Sequence, residues 1–287
     1  MSNIHDTIKT FRDNKLAPKK WLGQNLLVDR HYLDRIVREA CVVPGEHIVE
    51  IGAGLGALTQ VLAESGAKVI AIEIDSGFFK ELQKRFENLE NVELVHADAL
   101  KFNFRELAQR IVRLRVVANL PYNVSSRLVF MFQDNSDIFS SLTIMLQQEV
   151  AERFMADPGG KEYGTLSVLL GIRSSVQRLF DIPNKAFYPV PAVSSTLIRI
   201  DFDRGPDIHV SDYRLLTRLV KAAFASRRKT LRNNLKSMTE HGLSPEDIQA
   251  AAQQASVDLG RRAETLSPQE FANFSNAIYD KTHSVRA

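Results

Sequence analysis

Cysteine is almost missing from this chain: Cys41 is the only one in 287 residues. That excludes an intrachain disulfide and any cysteine-rich zinc site. Between Ala40 and Val42, it is expected to be a small core residue. The seven histidines are scattered, with no pair at ligand spacing, so no metal is expected. No apolar run approaches bilayer-spanning length, and no basic segment followed by an apolar one opens the chain. The expectation is a soluble, cytoplasmic, monomeric protein without membrane contact. A strong charge bias is also lacking. The net charge is +3, a weak pointer to an acidic partner.

What is present suits an ordinary soluble protein: 44% apolar and 25% charged residues, enough for a sizeable core. The length suits one domain of about 200 residues and a smaller one. After a basic N-terminal arm, strand and helix patterns alternate. Strands are expected at His47–Ile51, Lys68–Ile74, Val92–Ala97, Ile111–Ala118 and Leu142–Leu146. Helices are expected at Gly56–Ser65, Gly77–Phe86, Ser125–Phe132, Gln148–Met155 and Lys161–Gly171. Such alternation predicts parallel βαβ units. Val176–Asp181 and Ser194–Phe202 alternate like strands and would close one sheet edge in antiparallel fashion. Beyond Arg204-Gly205-Pro206 only helices are expected, at Tyr213–Ala225, Arg227–Lys236, Pro245–Ala255 and Pro268–Ile278. The division drawn is an α/β domain over 1–204 and a small all-α domain over 205–287.

Glu50-Ile51-Gly52-Ala53-Gly54-Leu55-Gly56 follows the first of these strands and opens a helix. Glycines there let backbone approach a ligand at the helix N-terminus. A dinucleotide fingerprint would place the third glycine one residue later, so the loop suits a ligand without pyrophosphate. Glu73 ends the next strand, where an acid accepts from ribose hydroxyls, and Asp98 ends the third, where one accepts from an adenine amino group. Ribose, adenine and no phosphate describe S-adenosylmethionine. A solvated strand end for Glu73 and a helix cap for Asp98 are the bland alternatives, and an NAD dehydrogenase is the rival enzyme.

Asn119-Leu120-Pro121-Tyr122 ends the fourth strand. The Asn119 amide oxygen and the Leu120 carbonyl can both accept from an exocyclic NH2. Pro121 fixes the turn and adds no competing N–H. Tyr122 offers a ring face to a base, as does Phe187, with core packing as the alternative for each. From Tyr213 to Ser237 the chain carries eight basic residues and no acid. Lys221, Arg227, Arg228, Lys229 and Arg232 within it are expected to meet RNA phosphates, against a merely solvated face.

These motifs resemble the ribosomal RNA adenine N6,N6-dimethyltransferase family, in its small-subunit (16S) branch. The likeness runs from Lys19-Lys20-Trp21-Leu22-Gly23-Gln24-Asn25-Leu26-Leu27 through the glycine loop, Glu73-Ile74-Asp75, Asp98-Ala99-Leu100 and Asn119–Ser126. It continues in Met145–Val150, Phe187–Ser195 and Arg227–Leu235. Leu26 before Leu27 and Val124 depart slightly from the usual pattern. The resemblance implies a Rossmann-like class I S-adenosylmethionine-dependent methyltransferase fold. It implies cofactor contacts at Asn25, Leu27, Gly52, Glu73, Asp98 and Asn119, and a Phe187 ring facing the target base. It further implies a helical C-terminal domain that docks on the 30S subunit, with 16S rRNA as substrate. A 23S rRNA methyltransferase and a ribosome-assembly checkpoint, in which binding outweighs catalysis, are the alternatives nearest to this reading.

Overall fold

The computed structural model describes residues 24–241 and 243–284. The basic arm with Lys15, Lys19 and Lys20, and the start of the Lys19–Leu27 motif, lie outside the described residues. The chain divides into two compact units, Met1–Ala151 with Gln177–Asp203, and Glu152–Val176 with Arg204–Ala287.

In the first unit, β1 (Leu26–Leu27) and α1 (Arg30–Glu39) precede β2 (His47–Ile51), α2 (Ala57–Glu64), β3 (Lys68–Glu73), α3 (Ser76–Phe86) and β4 (Val92–His96). Then come α4 (Phe104–Arg110), β5 (Leu114–Asn119), α5 (Ser125–Asp134) and β6 (Phe139–Gln147). After α6 (Gln148–Met155) and α7 (Thr165–Arg173) follow β7 (Ser175–Ile182), β8 (Phe187–Tyr188) and β9 (Ser195–Asp201). The sheet runs β4-β3-β2-β5-β6-β9-β7. Neighbouring strands from β4 to β6 pair in parallel, and β9 pairs antiparallel to β6, as the alternation predicted. Central strands are largely apolar because helices cover both faces. Ile48, Val49, Ile70, Ile72, Val116, Leu142 and Ile144 are accordingly buried. Strand order reverses between β2 and β5, which is where a doubly wound sheet leaves a crevice at its carboxyl edge.

The second unit is mainly helical in its described residues. It holds α7, α8 (Tyr213–Ala223), the single turn α9 (Leu231–Asn234), α10 (Pro245–Gln254) and α11 (Pro268–Ser284). In α8, Leu215, Leu216, Leu219, Val220 and Ala223 face inward, and α7 and α11 pack against this helix. Phe224 links Tyr163 and Phe271 in a chain of ring contacts, at 6.1 and 5.8 Å between centroids.

Several expectations change. The α/β and helical parts do not part cleanly at 204, because residues 152–176 cluster with the helices. The apolar face of α7 packs on α8 and α11, a partnership that periodicity alone cannot reveal. The strand expected from Ile111 starts at Leu114, where its partner Phe139 begins, and Val112 is 92% exposed. Arg227–Lys236 is not one helix: a turn leads into α9, followed by a 3₁₀ segment over Leu235–His241. Cys41 is exposed, not core. It closes α1 at φ +52°, its N–H donating to the Arg38 carbonyl while the Val42 N–H donates to that of Val37. Those two bonds form the left-handed helix ending usually given to glycine.

Candidate active site

Three strand ends and the segment before β1 converge on one pocket. Gly52 and Gly54 follow β2, Glu73 ends β3 with Ile74 after it, and Asn119 ends β5 with Leu120–Tyr122 after it. Gln24, Asn25 and Leu26 supply another wall, and Phe78 of α3 completes the lining. The pocket is open to solvent. It stands at the reversal of strand order, the position physics favours for a ligand in this fold.

Glu73 is the polar centre. It is 4% exposed and accepts from the Gly54 N–H and the Asp75 N–H, each at 2.8 Å. Burial pushes its carboxyl above the usual range, opposed by those backbone donors. Gly54 holds φ +60°, and a β-carbon there would meet the Leu26 side chain at 2.6 Å. The loop therefore lies as close to its neighbour as backbone allows. Gly56 serves differently from the expected ligand approach. It opens α2 at φ +79°, and its missing β-carbon leaves room for Phe86.

Asp75 caps α3, accepting from Gly77 and Phe78, and also accepts from the Gln24 amide at 3.2 Å. The Asp75-Ser76-Gly77 sequence carries a cap signal that would have found Asp75. Gln24 has no such signal.

Asn119 donates its amide nitrogen to the Asn25 carbonyl at 2.9 Å. Leu120 is buried and anchors the turn, which the Val124 N–H closes by donating to the Pro121 carbonyl. Tyr122 is half-buried, and its hydroxyl lies 2.7 Å from that of Ser195. Burial raises the Tyr122 phenol above its ordinary value, and the Ser195 hydrogen bond opposes this.

Asn25, Gly52, Glu73, Asn119, Leu120 and Tyr122 are thus brought together in one pocket. Three expected site residues are not among the lining. Leu27 is buried in the main hydrophobic core. Asp98 accepts from the Leu100 N–H at 3.0 Å in a local turn, beside Lys101. Phe187 requires the larger correction: it is fully buried in the core cluster, presenting no ring face to the pocket. Pairing of β8 with β1 sets Phe187 opposite Leu27 and Tyr188 opposite Leu26, and alternation turns Phe187 inward. Tyr188 packs beside Leu26 and Phe78, two residues of the pocket wall.

Beneath the glycine loop, Glu50 is 2% exposed and accepts from the Thr59 hydroxyl at 2.5 Å. Burial pushes its carboxyl up to about 8, so it is mostly protonated at neutral pH. In the helical unit, Lys221, Arg227, Arg228, Lys229 and Arg232 are all exposed. Arg227, however, donates to the carbonyls of Lys161 and Tyr163, the latter at 2.8 Å. Arg232 donates to Gln249 at 3.1 Å. Among the described residues, no group of His, Cys, Asp or Glu side chains could hold a metal, and no helix is long and apolar enough to cross a membrane.

The doubly wound sheet and its pocket define a Rossmann-like class I methyltransferase domain joined to a smaller helical unit. The chain belongs to the ribosomal RNA adenine dimethylase family, whose model matches residues 16–280. It is 42% identical over 269 residues to a ribosomal RNA small subunit methyltransferase A of Geobacter metallireducens, covering 93% of this chain and 98% of that one. It is 44% identical over 261 residues to the protein of the same name from Syntrophotalea carbinolica, covering 91% and 97%. Among solved structures, a dimethyladenosine transferase from Plasmodium falciparum matches at TM-score 0.72 and 25% identity, covering 90% of this chain and 98% of that one. The 23S rRNA methyltransferase ErmE shares the fold, at TM-score 0.65 and 22% identity over 88% and 99%.

Proposed function

We propose that this protein transfers methyl groups from S-adenosylmethionine to N6 of two adjacent adenosines in the 3′-terminal hairpin of 16S rRNA, giving N6,N6-dimethyladenosine during assembly of the small subunit in the cytoplasm. The observation that carries the reading is the Asn119 side chain, whose nitrogen is committed to Asn25, in the same pocket as Glu73. A committed nitrogen leaves the amide oxygen as the acceptor for an incoming amino group.

The residues fit the cofactor. Glu73 retains lone pairs for ribose hydroxyls, and Gly52, Gly54 and Asn25 border the same pocket. When bound, S-adenosylmethionine supplies an electrophilic methyl group on a sulfonium. The adenine N6 lone pair is delocalised into the ring, so the amine is a poor nucleophile. The Asn119 oxygen and the Leu120 carbonyl hold its two hydrogens and favour a more tetrahedral nitrogen. Tyr122 stacks on the base, which leaves its own stack most easily from a hairpin end. The proton becomes acidic once nitrogen carries a methyl, so no strong general base is required. Asp98 contributes to the adenine subsite, and the protein acts as a monomer. Exposed Lys221, Arg228 and Lys229 hold ribosomal RNA phosphates.

Mass spectrometry of 16S rRNA tests this directly. Undermethylated 30S subunits treated with protein and S-adenosylmethionine should gain dimethyladenosine in the 3′-terminal hairpin. Methylation of 23S rRNA instead, or no transfer at all, would overturn the assignment.

A further inference from the structure

Tyr122 is held at both ends by different parts of the first unit. Its carbonyl accepts from the Ser125 hydroxyl at 3.2 Å, within the turn that opens α5. Its phenol oxygen lies 2.7 Å from the hydroxyl of Ser195, the first residue of β9. Ser195 is fully buried, and its place is set by antiparallel pairing, opposite Gln147 of β6. Next to it, Thr196 is also fully buried and donates to Asp181 at 2.8 Å, so the start of β9 is pinned on both sides. A buried hydroxyl at a fixed strand position is a rigid partner, unlike a surface one. The phenol bond therefore fixes the tilt of a ring that lines the pocket beside Asn119.

We infer that Ser195 is a positioning residue for methyl transfer, fixing the direction of the Tyr122 ring axis through the hydroxyl pair. The inference rests on the reading of Tyr122 as the stacking face for the target base. Ser195 itself does not border the pocket, and acts only through Tyr122. A base stacked on a ring of fixed tilt keeps its amino group in the plane where the Asn119 oxygen can accept from it. A ring free to rock would spread the amino group over many orientations, most of them unreactive.

The test is a double-mutant cycle on the full chain with undermethylated 30S subunits and S-adenosylmethionine. Active sites are counted by cofactor titration, so that misfolded protein does not enter the rate. Ser195→Ala and Tyr122→Phe should each lower kcat by roughly 3- to 10-fold, the scale of one neutral hydrogen bond. Cofactor affinity and KM for the subunit should stay within about twofold, and the double variant should be no slower than either single one. Tyr122→Ala should be much slower than all of these. If the two single losses multiply in the double variant, or kcat per active site is unchanged in both, the hydroxyl pair does not position the ring. If Tyr122→Ala keeps full activity, the stacking reading itself fails, a different outcome from the failure of Ser195.

Discussion

The Asn119 side-chain nitrogen donates to the main-chain carbonyl of Asn25, 94 residues away in sequence and 2.9 Å away in space. A carbonyl can only accept, so it selects which end of the amide turns toward it. The opposite end, the oxygen, is left for the pocket. The segment before β1 thus sets the polarity of the group proposed to grip the amino nitrogen.

Asn119→Asp tests this polarity with almost no change of shape. A carboxylate has no donor for Asn25, so repulsion should turn the side chain away. Methyl transfer should fall at least ~100-fold, the usual scale for a lost transition-state hydrogen bond. Asn119→Ala should fall by a similar factor while still binding subunits. Single-turnover transfer measures both, and near-normal rates from either would place the grip elsewhere.

Glu73→Ala should weaken S-adenosylmethionine binding by on the order of 2–3 kcal/mol, since charge-assisted hydrogen bonds are lost. The structure adds a second expectation, because Glu73 also satisfies the Gly54 and Asp75 N–H groups. Thermal stability without cofactor should drop as well. Calorimetry with unchanged cofactor affinity would refute the ribose assignment.

Glu50 ties folding to pH. Its folded carboxyl sits at about 8, above its unfolded value of 4.5. The folded state therefore binds more protons between those values, and stability falls as pH rises through that window. One proton gives a slope of up to about 1.4 kcal/mol per pH unit. Glu50→Gln should flatten that part of the profile and gain relative stability near pH 8. Urea midpoints at pH 5, 7 and 8.5 would show it, and parallel profiles for the two proteins would exclude it.

The basic stretch should divide by partner. Replacing Arg228 and Lys229 together by Ala should lower the log–log salt slope of 30S binding by about 1.4–1.8, two phosphate contacts' worth. Arg227→Ala should act through the helical unit instead, since its guanidinium holds the Lys161 and Tyr163 carbonyls. A stability loss on the order of 1 kcal/mol is expected there. Equal effects of all three residues on the salt slope, with no change in stability, would contradict this division.

How far these features are legible in sequence depends on the range of the interaction behind them. Parallel strands and the Gln148–Met155 helix show in local periodicity, and Gly52, Glu73 and Asn119 show because each stands at or just after a strand end. Helix α1 was also visible in principle, through the Asp29 cap and the spacing of Leu33, Ile36 and Val37. Phe187 misleads because an exposed-ring motif and a core ring look alike until β8 finds β1. Arg227 misleads in the same way, since its carbonyl partners lie more than sixty residues upstream. Cys41 hides in an apolar context, although its position just after a helix is one where glycine commonly stands.

The division of the chain has a consequence for inheritance and engineering. The polypeptide enters the helical unit at Glu152, returns to the sheet at Gln177, and leaves again at Arg204. A fragment starting at residue 205 would carry α8 and α11 without α7, baring the apolar surfaces that α7 covers. The expected product is an aggregating peptide, not a free-standing module. Exchange of the helical unit between relatives therefore demands three coordinated junctions in one gene. Simple tail swapping would uncouple α7 from its partners.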